Sequence, residues 1–479
     1  MPKGLSELDV ERAIALDNYV PGTAEEQKLV RKIDLTLLPM LWLMYVLAWI
    51  DRGNISNTYA AGMGKDLELS DDDYSMLVTI FFIGYLFLEV PSNLVLYKLR
   101  PSLYLAGIML VWGAIVCTMS VAKDYSHMLV TRFFLGCIEA GLFPGCLYLL
   151  SCWYTKAELG KRFALFYTSG CVSPALGGIM AGSVIQGLDG RNGWPGWRWL
   201  FVLEGAITVG FSLVCYLLLV DYPATTTKFF SPEELKLAHV RILHSRGSNV
   251  EQDNDDRLTS LQSLLAVVTD MRVYPFVLLY MIDQTSVYIT YFIPVVLRGM
   301  GYTSVSAQWM TVPIWASGAV LMVLASYTSD RYSAHRAHII GCMLVCVVAC
   351  VVCLTVRGND QVRYAMLCFY IGGSFTAVSQ ILSWTSNTFS LPDSKRSVAI
   401  AFVNSCGILA SFWGPRLWPS SQAPNYTMGF ATVTAITAAA AVCAILMPWY
   451  FKLAPKEPVT KAERHLVARK RAREAAGTA

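Results

Sequence analysis

Trp49-Ile50-Asp51-Arg52-Gly53-Asn54 stands inside an apolar segment that runs from Leu35 to about Met63. An acid and a base side by side in such a segment cost about 2.5 to 3.5 kcal/mol each near a bilayer centre, so something else in the molecule must repay them. Two readings follow. In one, the pair closes the outer end of a membrane helix, because Lys32 to Asp51 spans about 28 Å at helical rise. In the other the pair is functional: the apolar pattern resumes at Tyr59, Ala60, Ala61 and Met63, so the helix is over-long and tilted, and Gly53 offers it a bend.

Working outward, the same pattern recurs. The chain has 479 residues, 55% of them hydrophobic and only 15% charged, with a mean hydropathy of +0.46. No water-soluble domain of this length is expected to show that balance. Apolar stretches of about twenty residues begin near Leu35, Tyr74, Ser102, His127, Arg162, Trp199, Val273, Val305, Ile339, Tyr364, Val398 and Met428. The reading is an all-α polytopic membrane protein with twelve transmembrane helices. The residues up to Asp34 are polar and mixed in charge, without the basic start and short apolar core of a secretory signal.

Lysine and arginine set the orientation. With the first residues in the cytosol, 28 of the 38 basic residues fall on the inside, so both termini are expected to be cytosolic and the plasma membrane is the expected site. The net charge of +4 is then a topogenic signal rather than a mark of nucleic-acid binding, and the cluster from Lys461 to Arg473 favours an anionic inner leaflet. All thirteen cysteines lie in the expected spans, as small packing residues; neither a disulfide framework nor a metal site is expected.

The expected division is a cytosolic tail 1–34, a six-helix lobe 35–220, a cytosolic linker 221–272, a second six-helix lobe 273–451 and a basic cytosolic tail 452–479. In the linker, Ser231-Pro232-Glu233-Glu234 reads as a capping box opening a short helix to about His244. The halves repeat weakly: Lys161-Arg162 before the fifth span is matched by Lys395-Arg396 before the eleventh, an offset of 234. Two pseudo-symmetric halves with a substrate site near the midplane are what such a repeat implies.

Other polar groups stand in apolar sequence. Glu89, in Glu89-Val90-Pro91-Ser92-Asn93 of the second span, reads equally as a structural carboxylate or a transport group. Pro91 should kink that helix, and Ser92 or Asn93 can bond the carbonyl it frees. In the fourth span Arg132 and Glu139 share a helix face about 10 Å apart, too far for an ion pair but near enough for the arginine to bias the acid's proton affinity. Gly136, Gly141 and Gly145 turn that face toward another helix. A buried carboxylate tuned by a neighbour suits a proton carrier. In the second half Gln284, Tyr288 and Asn404 are candidate substrate hydrogen-bonders, with helix-to-helix bonding the equal alternative; Asp283 has no assigned role. Trp49, Tyr85 and Tyr288 supply an aromatic surface that would suit a planar acid, or simply pack.

Together, Asp51 to Asn57, Phe81 to Asn93, Arg132 to Gly145 with its Glu-Ala-Gly-Leu-Phe-Pro-Gly, and Gly196 to Gly205 resemble the major facilitator superfamily. Within it they look like the anion:cation symporter family, in the fungal branch of allantoate and nicotinate permeases. The resemblance covers about Ile33 to Lys452. It implies Asp51 and Glu139 as proton sites, Arg52 as the clamp on a substrate carboxylate, and Arg132 as modulator of Glu139. The superfamily's acidic turn after the second helix is degraded here, Lys98 and Arg100 lacking an aspartate. The intact copy is Asp330-Arg331, with Arg336, so the cytosolic latch would rest on the second half.

The expected mechanism is uptake of a small organic anion with protons by rocking of the two halves, the protein acting as a monomer without a cofactor. Ionised Asp51 would compete for Arg52, and its protonation would free the arginine for substrate. With two acids, two protons per monoanion are expected; the resulting net charge draws about 2.3 kcal/mol per 100 mV from the membrane potential. Export of a carboxylated secondary metabolite and nutrient sensing with little transport are the alternatives. No loop carries a nucleophile and base arrangement, so an enzyme is not expected.

Overall fold

The computed structural model describes residues 19–96, 99–226, 228–246, 260–332, 334–356, 358–389, 393–454, 464 and 468. Most of the two tails, with the Lys461 to Arg473 cluster, and the acidic linker stretch Glu251 to Asp256 lie outside them. Among the described residues all regular structure is helical. The longer helices are α1 (Ala24–Thr36), α2 (Leu38–Thr58), α3 (Asp71–Leu96), α4 (Pro101–Met119), α5 (Tyr125–Glu139), α6 (Leu142–Trp153), α7 (Lys156–Tyr167), α8 (Ser169–Leu188) and α9 (Gly196–Leu218). They continue with α10 (Pro232–Arg246), α11 (Ser260–Val268), α12 (Val273–Val287), α13 (Ile293–Gly299), α14 (Ser304–Tyr332), α15 (His335–Thr355), α16 (Asp360–Thr388), α17 (Asp393–Ile408) and α18 (Thr427–Leu453).

Nine helical segments are long and apolar enough to cross a membrane, and two bent pairs bring the number to eleven among the described residues. The 26-residue α3 stands where the second span was expected. A lipid-facing surface accounts for the many exposed leucines, valines and isoleucines on these helices, because in a bilayer an outward apolar side chain carries no penalty.

The first span departs from expectation in where it bends. α2 runs through Gly53 unbroken, and the break falls in the wide turn Tyr59–Met63, where Gly62 adopts φ +119°. Only glycine enters that region without strain. Before α2 the chain is already helical: Thr23 caps α1 by accepting from Glu26 N, and Glu26 in turn accepts from Gly22 N. In the second span Pro91 lies inside α3, but the Ser92 hydroxyl bonds Tyr104 on α4. The linker contains a second helix, α11, that meets the following span at 85°.

The chain forms two compact units. Unit 1 comprises Met1–Asn54, Ile83–Ser173 and Gly190–Asp253; unit 2 comprises Ile55–Phe82, Pro174–Asp189 and Asn254–Ala479. Unit 2 therefore includes parts of the first three hundred residues, and polar bonds hold them in. Arg298 Nη1 donates to the Ala60 carbonyl at 2.5 Å, Tyr74 to the Tyr291 carbonyl at 2.5 Å, and Gln308 to the Asn57 carbonyl at 3.2 Å. The Ala60 and Asn57 carbonyls lie next to the Gly62 break, where the helix no longer satisfies its own backbone.

Each unit carries a buried or half-buried acid tied to basic side chains near a helix start. In unit 1, Arg162 donates to Asp34 through Nε at 3.0 Å and Nη2 at 2.9 Å, while Tyr154 donates to the same carboxylate at 2.7 Å. In unit 2, Lys395 and Arg272 donate to Asp270 at 2.8 and 2.6 Å. Each acid precedes the first span of its half, and each of Arg162 and Lys395 opens the fifth. The capping box forms as read: Glu234 N donates to Ser231 Oγ and Ser231 N to the Glu234 carboxylate, which also takes Lys32 at 2.7 Å.

Candidate functional site

Successive residues on an α-helix point about 100° apart. Asp51 and Arg52, adjacent on α2, therefore face different neighbours. Asp51 Oδ2 accepts from Trp112 Nε1 of α4 at 3.0 Å and from Thr208 Oγ1 of α9 at 2.8 Å. Arg52 donates to Glu139 Oε1 of α5 through Nη2 at 2.5 Å and Nε at 3.1 Å. This corrects the competition expected between Asp51 and Arg52: the carboxylate on the arginine is that of Glu139, because helix geometry turns Asp51 away.

Aromatic rings flank the guanidinium. Its carbon lies 5.1 Å from the Trp49 ring centre and 5.3 Å from that of Tyr85, so the cation keeps favourable π contacts in a site with little water. Arg132 Nη1 donates to the Arg52 carbonyl at 3.3 Å, which places a second arginine, from α5, beside the pair. Asp51, Arg132 and Glu139 are 2%, 1% and 1% exposed. Asp51 Oδ1 and Glu139 Oε2 have no hydrogen-bond partner among the described residues. Each acid thus keeps one oxygen able to take a proton or a new donor.

Close backbone packing seals the cluster. A Cβ on Gly84 of α3 would overlap the Phe133 carbonyl of α5, and one on Gly141 would overlap Ser92. The α4–α9 contact is as tight: a Cβ on Gly205 would lie 2.5 Å from Cys117 Sγ and 2.7 Å from the Gly113 carbonyl.

The sequence-expected residues divide between the units. Trp49, Asp51, Arg52, Tyr85, Arg132 and Glu139 come together in unit 1. In unit 2 the Asn404 side chain accepts from Tyr280 at 2.9 Å, a helix-to-helix bond between α12 and α17. Gln284 packs against Gly407. Tyr288 is buried, stacked on Tyr291 and edge-on to Phe82. Asp283 is buried, with Oδ2 lacking a bond among the described residues. Of the latch residues, Arg331 and Arg336 are exposed, and the Asp330 side chain lies outside the described residues. Beside them Ser329 donates to Gln380 Oε1 at 2.5 Å, with His335 Nδ1 3.0 Å from the same oxygen. No group of histidine, cysteine, aspartate and glutamate among the described residues is arranged to hold a metal ion.

Reading the sequence missed Trp112 and Thr208, the donors to Asp51, and gave no role to Glu204. Nothing local marks the first two, since a tryptophan and a threonine in apolar helices are ordinary. Glu204 was visible as an acid in an apolar run.

Membrane-length helices enclosing buried charges make a polytopic membrane protein. The chain belongs to the Major Facilitator Superfamily, whose profile matches residues 41–415. It is 31% identical to the MFS-type transporter cnsO of Penicillium expansum over 92% of this chain and 86% of the relative. It is 28% identical to a protein of Agrobacterium vitis with a provisional tartrate-transporter name, over 88% of this chain and 92% of the other. Among solved structures, a bacterial homolog of the human lysosomal transporter Spinster superposes with a TM-score of 0.67 at 13% identity, covering 86% of this chain and 96% of that one. A D-xylose-proton symporter superposes at 0.62 and 16% identity, covering 87% and 98%.

Proposed function

We propose that this transporter takes up a small organic anion together with protons, and that it belongs to the anion:cation symporter family in the allantoate and nicotinate permease branch. The observation that carries the reading is the Arg52–Glu139 pair: a fork-shaped cation, buried between Trp49 and Tyr85, bonded to an acid that a proton can neutralise. A substrate carboxylate fits the same fork. When Glu139 is ionised it occupies the arginine; when it gains a proton the arginine is free for the anion. Binding of substrate and of proton thus favour one another through a single guanidinium. Arg132, beside the pair, sets the balance, and Asp51 holds a second proton. Trp49 and Tyr85 give a planar acid stacking surface. Gln284, Tyr288 and Asn404 remain candidate hydrogen-bonders within unit 2, and Arg331 and Arg336 the cytosolic latch.

The similarity to the provisionally named tartrate transporter supports a carboxylate substrate. The protein acts as a monomer in the plasma membrane with both termini cytosolic and without a cofactor. The test is acid-driven uptake into proteoliposomes of labelled nicotinate, allantoate, pantothenate and tartrate, by wild type and Asp51→Asn. Saturable uptake of one of them that follows the pH gradient and is lost in the variant supports the reading. Folded protein that carries none of them sinks it.

A further inference from the structure

Glu204 is an acid of unit 1 to which no role has been given so far. It lies on α9, 1% exposed, and neither carboxylate oxygen has a hydrogen bond of good geometry among the described residues. Its surroundings are known from three helices. On α9, Thr208 stands one turn along the same face and donates to Asp51 Oδ2 at 2.8 Å. From α2, Asn54 adjoins the Glu204 carboxylate and Asp51 acts on it electrostatically. On α4, Cys117 Sγ reaches the Val202 carbonyl of α9 and Trp112 bonds Asp51. Among the described residues the charged group that acts on Glu204 is Asp51, an acid. Arg52 is engaged with Glu139, about 100° around α2 from Asp51.

Two buried carboxyl groups that act on one another do not both stay ionised, since like charges in a low dielectric exclude one another. A carboxyl that holds a proton keeps a donor for its neighbour. We propose that Glu204 is a proton-holding group and that Asp51 and Glu204 work as one proton site, passing a proton between them. In the transfer the Glu204 O–H bond breaks and an O–H bond forms on Asp51. α2 then separates two tasks by its faces: Arg52 takes the anion when Glu139 is protonated, and Asp51 with Glu204 holds the second proton. This division rests on the proposed symport, whereas proton holding by Glu204 does not.

The test is pH-difference infrared spectroscopy of the purified full-length protein in lipid, read in the carboxylic-acid C=O region between about pH 5 and 8. Wild type should show a buried-acid band that is absent in Glu204→Gln, is displaced in Glu204→Asp, and shifts in Asp51→Asn because the two acids are coupled. An identical band in wild type and Glu204→Gln overturns the proposal. If Glu204→Gln fails to fold, an undisplaced band in Glu204→Asp overturns it equally. In proteoliposomes, Glu204→Gln should keep counterflow of whichever of the four anions is carried within about threefold of wild type, and lose about tenfold or more of its pH-driven accumulation. Accumulation at the wild-type level would remove Glu204 from coupling. The infrared measurement needs no substrate, so wild type that carries none of the anions refutes the symport reading alone.

Discussion

Arg52 and Glu139 meet at 2.5 Å although 87 residues of chain separate them. The guanidinium is 11% exposed and the carboxylate 1%, so the pair sits where neither partner has water to replace the other. Removing one member should therefore hurt more than removing both. Arg52→Ala is expected to destabilise the protein by about 3–5 kcal/mol, because it strands a buried charge. Adding Glu139→Leu should recover most of that loss. Thermal melting in detergent of wild type, both single variants and the double variant reads the cycle; a double variant no more stable than Arg52→Ala would deny the pair its role.

Arg52→Lys tests geometry rather than charge. Lysine keeps the cation but presents a point charge in place of a planar fork, so substrate uptake should drop by about tenfold or more. Initial rates of the transported anion across a concentration series measure it. Uptake unchanged by the substitution would show that no bidentate carboxylate contact is made.

Asp51→Asn keeps the side-chain oxygen that accepts from Trp112 and Thr208 but cannot be ionised. It should leave counterflow intact while abolishing accumulation against a gradient at acid outside pH. Parallel counterflow and pH-jump assays separate the outcomes, and equal loss of both would mean a structural role.

Gly205→Ala places a methyl group 2.7 Å from the Gly113 carbonyl, a backbone atom that cannot rotate away. Overpacking of this kind costs about 1–3 kcal/mol. Gly210→Ala, on the same helix with open space around it, should be neutral or gain up to about 1 kcal/mol from helix propensity. Melting temperatures of the two variants in one detergent provide the comparison.

Asp270, in the break before α12, titrates below the usual carboxylate range: burial pushes it up, but the bonds from Arg272 and Lys395 outweigh burial. A depressed acid contributes stability that is complete above its unfolded value, about pH 4, and is lost as pH falls through the folded value. The tie between Asp270 and Lys395 should then be constant through neutral pH and fail only in strong acid. Lys395→Met should lower the melting temperature at pH 7 and shrink its difference from wild type at about pH 3. A difference that grows on acidification would reverse the assignment.

Much of this protein was legible in one dimension, and the limits of that legibility are specific. Apolar runs of membrane length announced the spans because lipid demands them, and Asp51, Arg52, Arg132 and Glu139 stood out because charge is expensive there. The capping box at Ser231 was legible because its bonds close within four residues. The bend was misplaced: both Gly53 and Gly62 lie in the first span, and only the packed backbone shows that Gly62 takes the positive φ. Pairing was misassigned for a related reason. Adjacency in the chain suggested Asp51 for Arg52, whereas 100° of helical turn sends them to different helices.

The sequence by itself determined the solvent, the all-helical class and the identity of the buried charges, because each follows from local composition and the cost of polarity in lipid. Only the tertiary structure decided which charge meets which: Arg52 with Glu139, Asp51 with Trp112 and Thr208, Glu204 beside Asn54. Those choices depend on helix rotation and on the glycines that let backbones touch, and both are properties of the packed assembly.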